Sequence, residues 1–195
     1  MAARRVGVMG GTFDPIHVGH LAAASEVAYR LALDEVVFVP TGLPWQKATA
    51  AVSPGEDRYA MTVLATEGDA RFSVSRSEID RPGVTYTVDT LTELAAGGDE
   101  LFFIVGADAL AGLPTWHEPA RIMDLAHLVG VTRPGHLVDV AAFPPGSVTL
   151  VDVPALDVSG SDCRSRVGRG APITYLVPQP VVDYIATHGL YAGSA

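Results

Sequence analysis

Val8-Met9-Gly10-Gly11-Thr12-Phe13-Asp14-Pro15-Ile16-His17-Val18-Gly19-His20 decides how this chain is read. The apolar run Arg5–Met9 stops at two glycines, and a helical pattern begins at Val18, with Leu21, Ala24, Ala28 and Leu31 on one face. A strand therefore feeds a helix through a tight turn. Gly10 and Gly11 let the backbone approach a ligand closely. The helix start adds unpaired N–H groups and the positive end of its dipole. His17 and His20 are three residues apart and share one helix face, with Gly19 leaving room for a ligand between them. Two imidazoles and a helix N-terminus make a small cationic cradle, suited to a phosphate that gains charge in a transition state. The competing readings are a structural pair, or a metal site short of its third ligand. The glycine turn favours phosphate.

Outward from that junction, strands and helices alternate. Glu35–Val39 is a second strand, ended by Pro40. Ser53-Pro54-Gly55-Glu56 reads as a helix start, with Ser53 as N-cap and Glu56 closing a capping box, and the helix runs to about Glu67. Phe72–Ser75 is a strand, and Val88, Leu91 and Leu94 mark a helix ended by Gly97-Gly98. Leu101–Val105, His127–Thr132 and Val148–Val153 are further strands. Ser161–Gly168 is a short helix, and Pro180–His188 a last one stopped by Gly189. Such alternation predicts an α/β fold with a parallel sheet and right-handed crossovers. Ligands then bind beyond the C-terminal strand ends, at a topological switch point. The irregular stretches Thr41–Ser53 and Arg133–Gly146 both follow strands, where a site belongs.

Composition narrows the function classes. The chain has 195 residues, 48% of them hydrophobic and 18% charged, which fits one ordered domain. Its 13 basic and 22 acidic residues give a net charge of −9, against wrapping nucleic acid or docking on anionic lipid. An anionic ligand must be met by a local site. The lone Cys163 excludes an intrachain disulfide and a cysteine zinc site. No apolar stretch approaches the ~20 residues of a membrane helix, and Arg4 and Arg5 do not introduce a signal peptide. A cytoplasmic protein is expected. There is no P-loop, no G-x-G-x-x-G fingerprint, no H-E-x-x-H and no G-x-S-x-G elbow.

Four more constellations carry candidate chemistry. Val158-Ser159-Gly160-Ser161-Asp162-Cys163-Arg164 opens a helix, with Ser161 as its expected N-cap and Arg164 one turn on as a bidentate donor. It fits anion binding and an ordinary capped helix equally. Pro40 to Lys47 is a loop after the second strand, and Lys47 is the single lysine beside twelve arginines. It suits a phosphate contact or a solvated surface. Asp108, after Val105-Gly106-Ala107, fits a ribose hydroxyl or a cap. Trp116, in Thr115-Trp116-His117, fits a stacking platform or the core.

Taken together, these residues resemble a known family. Gly10 to His20 is similar to the H-x-G-H signature of the nucleotidyltransferase superfamily, and Ser159–Arg164 to its Ser-Ser-Thr-x-x-Arg signature. Thr85-Tyr86-Thr87-Val88-Asp89-Thr90-Leu91, Gly106-Ala107-Asp108, Trp116 and Arg133-Pro134-Gly135 resemble bacterial nicotinate-nucleotide adenylyltransferases. So does the tail, with Tyr175-Leu176-Val177-Pro178, Val181, Tyr184-Ile185 and Leu190-Tyr191. Three places depart from the family pattern. Gly160 replaces a frequent serine, Pro44-Trp45-Gln46-Lys47 is one residue longer and lacks a histidine, and His117 stands where an aromatic is common.

The resemblance implies a Rossmann-like parallel sheet with flanking helices and a small C-terminal helical extension. Residues 1–195 form a single nucleotidyltransferase domain, with 154–195 as its C-terminal helical part. It implies adenylyl transfer from ATP to nicotinate mononucleotide, giving deamido-NAD and pyrophosphate. Mg²⁺ is the expected cofactor, carried by the ATP phosphates, with no metal ligand assigned in the chain. His17 and His20 become the catalytic pair. Gly10, Gly11, Thr12, Phe13, Gly106, Asp108, Ser159, Ser161 and Arg164 become ATP contacts. Thr41, Lys47, Thr85, Tyr86, Thr87, Trp116, His117 and Arg133 become nicotinate mononucleotide contacts. ATP and nicotinate mononucleotide are the partners, without nucleic acid or membrane, and a homo-oligomer is compatible with this reading. An adenylyltransferase for phosphopantetheine or nicotinamide mononucleotide, and a non-catalytic nucleotide-binding regulator, are the alternatives.

Overall fold

The computed structural model describes residues 3–42, 52–132 and 139–193. Six strands form one parallel sheet: β1 (Arg5–Gly11), β2 (Glu35–Pro40), β3 (Phe72–Val74), β4 (Glu100–Gly106), β5 (Ala126–Thr132) and β6 (Val148–Asp152). Their order is β3-β2-β1-β4-β5-β6, so the chain reverses direction across the sheet between β1 and β4. This is the doubly wound order, and its switch point lies at the C-terminal ends of β1 and β4.

The central strands read as continuous apolar runs because both faces of the sheet are covered. Successive side chains point to opposite faces. Met9 and Ile104 join one core with Ala24 and Val27 of α1 (Val18–Arg30), Met61 of α2 (Gly55–Thr66), Cys163 of α7 (Gly160–Gly168), and Val181 and Ile185 of α8 (Gln179–His188). Val8 and Phe103 join the other, with Val88 and Leu91 of α4 (Thr87–Ala95), Leu110 of α5 (Ala107–Gly112) and Ile122 of α6 (Pro119–Leu125). A short α3 (Ser77–Asp80) links β3 to the segment before α4.

Two helix starts differ from expectation. The N-cap of α2 is Pro54, not Ser53. The Ser53 N–H donates to Asp14 Oδ2, and its carbonyl accepts from Arg58 Nε, so Ser53 anchors a loop instead. Glu56 closes no capping box because Arg76 takes its carboxylate at 2.8 and 3.0 Å. At α7 the N-cap is Ser159, whose hydroxyl accepts the Asp162 N–H at 3.1 Å, and not Ser161. Ser161 lies inside the first turn and accepts from Arg164 Nη2 at 3.2 Å.

The C-terminal part is tied to the first βα turn. The Val18 N–H donates to the Leu176 carbonyl at 3.0 Å. Tyr184 donates to Asp57 and Tyr191 to Asp14. Among the described residues, no helix is long and apolar enough to cross a membrane.

Candidate active site

A cleft of about 940 Å³ opens over the switch point. Gly10 and Gly11 from β1, Gly106 from β4 and Thr132 from β5 contribute strand ends to its floor. Thr12, Thr41, His17 and His20 line it on the β1 side, and Asp108 joins from the first turn of α5. Thr85, Tyr86, Thr87, Trp116 and His117 also line it, ahead of α4 and after α5. Thirteen of the expected residues are thus gathered around one space.

The histidine pair is more tightly built than its spacing suggests. His17 is the N-cap of α1 with extended backbone, and His20 occupies the third helical position. The His17 N–H donates to His20 Nδ1 at 3.2 Å. The rings stack with centroids 3.7 Å apart and 26° between planes. A Cβ at Gly19 would lie 3.1 Å from His17 Nδ1, so the glycine makes room for the imidazole, and it also lines the cleft. The Phe13 ring is buried in the core and meets His20 edge-on at 5.1 Å. It braces His20 from behind, leaving only the Phe13 backbone for a ligand.

The expected cationic cradle is neutral. Burial pulls His17 down to about 4. Burial, and then the neighbouring His17, pull His20 down to about 3. Because His20 Nδ1 accepts a backbone N–H, the neutral ring carries its proton on Nε2. His20 therefore brings a fixed N–H donor, not a full charge. His17 Nδ1 is buried without a hydrogen-bond partner among the described residues.

Ser159, Ser161 and Arg164 stand beside this cleft at the start of α7, not on its walls. Arg164 Nη1 donates to the Asp14 carbonyl, which fixes α7 against the turn that carries His17. A Cβ at residue 160 would lie 2.9 Å from that same carbonyl, so Gly160 permits the close approach. Lys47, with the longer Pro44–Lys47 loop, and Arg133 lie outside the described residues.

Trp116 is half-buried, edge-on to Phe103 at 6.2 Å, with part of its surface in the cleft. Tyr86 and His117 pack with ring centroids 4.4 Å apart. Thr85 is buried, and its hydroxyl donates to Glu78 Oε2 at 2.9 Å, so that hydroxyl is already committed. Thr90 donates to Glu78 Oε1 at 2.8 Å, which places one carboxylate under both ends of the turn into α4. No side chain caps α4, and the Asp89 N–H donates to the Tyr86 carbonyl at 3.1 Å.

Sequence reasoning missed four supporting residues: Arg58, Glu78, Asp14 and Tyr191. Arg58 is only 1% exposed and donates to three carbonyls, those of Ser53, Thr12 and Gly42, at 2.8–2.9 Å. It thereby pulls the Thr12 carbonyl away from any anion held by the turn. Its signal was an arginine at the same helical positions as buried Met61 and Thr62. Asp14 and Glu78 are buried carboxylates whose partners come from distant segments.

The cytidylyltransferase-like family model matches residues 8–166. A Streptomyces coelicolor protein named "Probable nicotinate-nucleotide adenylyltransferase" is 60% identical over 187 residues, covering 95% of this chain and 100% of its own. Its Frankia casuarinae counterpart, under the same name, is 60% identical over 190 residues, covering 96% and 100%. Among solved structures, a Plasmodium falciparum nicotinic acid mononucleotide adenylyltransferase complexed with NaAD superposes with a TM-score of 0.76 at 19% identity, covering 96% of this chain and 97% of its own. At that identity the likeness concerns the fold.

Proposed function

This chain belongs to the cytidylyltransferase-like family and, within it, to the nicotinate-nucleotide adenylyltransferases, and from that premise we propose how its own residues transfer the adenylyl group of ATP to nicotinate mononucleotide. The products are deamido-NAD and pyrophosphate. The carrying observation is the stacked His17–His20 pair at the switch point, facing one cleft with Thr87 and Trp116.

The attacking group is the mononucleotide phosphate. With a second pKa of ~6, it is largely dianionic at neutral pH and needs no general base. Neutral histidines suit this, since nothing has to be deprotonated. His20 offers its Nε2–H to an α-phosphate oxygen and stabilises the charge that builds as the new P–O bond forms and the bond to pyrophosphate breaks. His17 orients His20 through its backbone N–H and offers a second ring to the phosphates. N–H groups of the Gly10–Phe13 turn and of the α1 start supply further donors. Arg164, with Ser159 and Ser161, meets the β- and γ-phosphates that depart.

Gly106 and Asp108 receive the adenosine, with Asp108 accepting from a ribose hydroxyl. Trp116 stacks on the pyridine ring. The N–H groups of Thr87 and Val88 at the start of α4, beside Tyr86 and His117, receive the carboxylate that separates acid from amide. Thr41, Lys47 and Arg133 complete the mononucleotide side, with the two cations on its phosphate. The carboxylates lining the cleft among the described residues are Glu78, saturated by two threonines, and Asp108. That donor set fits a Mg²⁺ ion held mainly by ATP phosphates and water. Such an ion neutralises phosphate charge when bound.

The test is pyrophosphate release from ATP and Mg²⁺, with nicotinate mononucleotide and nicotinamide mononucleotide side by side. Preference for the acid is expected. Equal use discards the carboxylate assignment at Thr87, and no release with either discards the reading.

A further inference from the structure

Tyr191 meets Asp14 across 177 positions of sequence. Its phenol donates to Asp14 Oδ1 at 2.7 Å, and the Ser53 N–H donates to Asp14 Oδ2 at 3.2 Å. Both side chains are buried, Asp14 at 6% exposure and Tyr191 at 9%. Tyr191 holds a left-handed backbone, φ 64°, beyond the end of α8. A bulky residue keeps that conformation only where its surroundings demand it.

Arg164 approaches the same aspartate from α7. Its Nη1 donates to the Asp14 carbonyl, and its Nη2 to Ser161 Oγ. Asp14 Oδ2, the oxygen that accepts the Ser53 N–H, stays 3.9 Å from Nη1, at the outer limit of an ion pair, while Tyr191 holds the other oxygen. A carboxylate this near a guanidinium in a buried setting ordinarily closes into a two-bond fork. Here both oxygens already accept other donors. Arg164 therefore keeps its charge for an external anion, and its side chain remains 30% exposed. Arg58, on the other side of the turn, binds only backbone carbonyls and cannot hold Asp14 in place of Tyr191.

We infer that Tyr191 is a positioning residue for the pyrophosphate end of the site: by holding Asp14 Oδ1, it fixes the orientation of the carboxylate and keeps it from turning to close a fork on Arg164. The inference rests on the reading of Arg164 as a ligand of the departing phosphates. The tail thus tunes a phosphate contact without touching substrate.

Tyr191→Phe removes the oxygen that donates to Asp14 and lies 4.0 Å from Met61 Sδ, and keeps the ring in the core. The assay is pyrophosphate release with nicotinate mononucleotide, using inorganic pyrophosphate as product inhibitor, with thermal unfolding measured alongside. In Tyr191→Phe, the ATP KM and the pyrophosphate inhibition constant should rise about tenfold, the scale of one charge-assisted hydrogen bond. The nicotinate mononucleotide KM should stay within about twofold, since the change is local to Arg164. Adding Asp14→Asn should restore pyrophosphate inhibition, because an amide cannot neutralise Arg164. A merely structural tyrosine would not be rescued this way. Unchanged inhibition in folded Tyr191→Phe overturns the inference, as does a joint rise of both KM values without rescue. Should Tyr191→Phe not fold, Asp14→Asn alone decides: inhibition at least as strong as wild type supports the inference, and weaker inhibition overturns it. A wild-type enzyme that releases no pyrophosphate defeats the functional reading itself. Normal wild-type turnover with an insensitive variant defeats only the inference.

Discussion

Acidification should destabilise this protein through the two histidines of the cleft, His17 and His20. In the fold His17 titrates at about 4 and His20 at about 3, against 6.5 for an unperturbed imidazole. The folded values are depressed, so below pH ~6.5 the unfolded chain binds more protons than the native one. The stabilisation is fully present above that value and is lost as the pH falls toward the folded values. At about pH 5 each ring has cost about 2 kcal/mol, some 4 kcal/mol for the pair, out of the 5–15 kcal/mol typical of a domain. Urea unfolding at about pH 7.5, 6 and 5, on the wild type and on His17→Gln/His20→Gln, isolates this contribution from the carboxylates. The wild type should lose about 4 kcal/mol more than the double variant between the extremes. Equal losses would refute neutral imidazoles at these two positions. So would imidazole NMR signals that titrate near 6.5 in the folded protein, and the N–H donor role of His20 would then have to give way to a charged one.

Other perturbations address single parts of the site. His20→Ala should lower kcat by ~10²–10³, the usual cost of one oriented transition-state donor, with less change in ATP binding; near-normal turnover in steady-state kinetics would remove His20 from the chemistry. Trp116→Ala should raise the KM for nicotinate mononucleotide and spare that for ATP, whereas equal losses would assign Trp116 to the core it touches through Phe103. Gly42→Ala should be strongly destabilising, because its Cβ would fall 2.1 Å from the Glu78 carbonyl oxygen, far inside contact. About 2–3 kcal/mol in denaturant unfolding is expected, with the β2 end pushed off the segment carrying Thr85; an unchanged midpoint would contradict that packing.

Long periodic segments made the fold legible. The runs at β1, β2, β4 and β5 are apolar on both faces, and α1 shows a stripe of alanines and leucines, so each announced itself. Helices α3, α5 and α6 have only 4, 6 and 7 residues, too few for a helical period to emerge. The cap assignments at Ser53 and Ser161 failed for a related reason. Local chemistry allows any nearby hydroxyl to cap, but Asp14 and Arg58 hold the Ser53 backbone one residue ahead of the Pro54 cap, and Ser161 lies inside the first turn with its hydroxyl accepting from Arg164. The stacked pair His17 and His20 was visible because its spacing is local. The residues that hold them were not. Arg58 reaches Thr12 across 46 positions, Arg164 reaches Asp14 across 150, and Tyr191 reaches it across 177. Such pairs form only when the doubly wound order brings β1, α2, α7 and the tail together.

The electrostatics of the site follow from those long-range contacts. A chain of net charge −9 binds two polyanions, and His17 and His20 bring no charge to the cleft at neutral pH. Attraction must then come from short-range groups: oriented N–H donors, helix ends and a few arginines. These act only when carbonyl oxygens are turned away from the anion, since each carbonyl beside a phosphate would cancel a donor. Arg58 takes the Thr12 carbonyl and Arg164 the Asp14 carbonyl, one on each side of Phe13. Arg164, read from the sequence as a phosphate ligand, is therefore partly structural, and with Arg58 it sets the polarity of the turn. Asp14 completes the arrangement by opposing the buried Arg58 charge, and Tyr191 and Ser53 keep its carboxylate from reaching Arg164. The anion site is thus a balance of buried charges held at fixed distances. That balance explains how an acidic protein can present a receptive phosphate site without a basic surface.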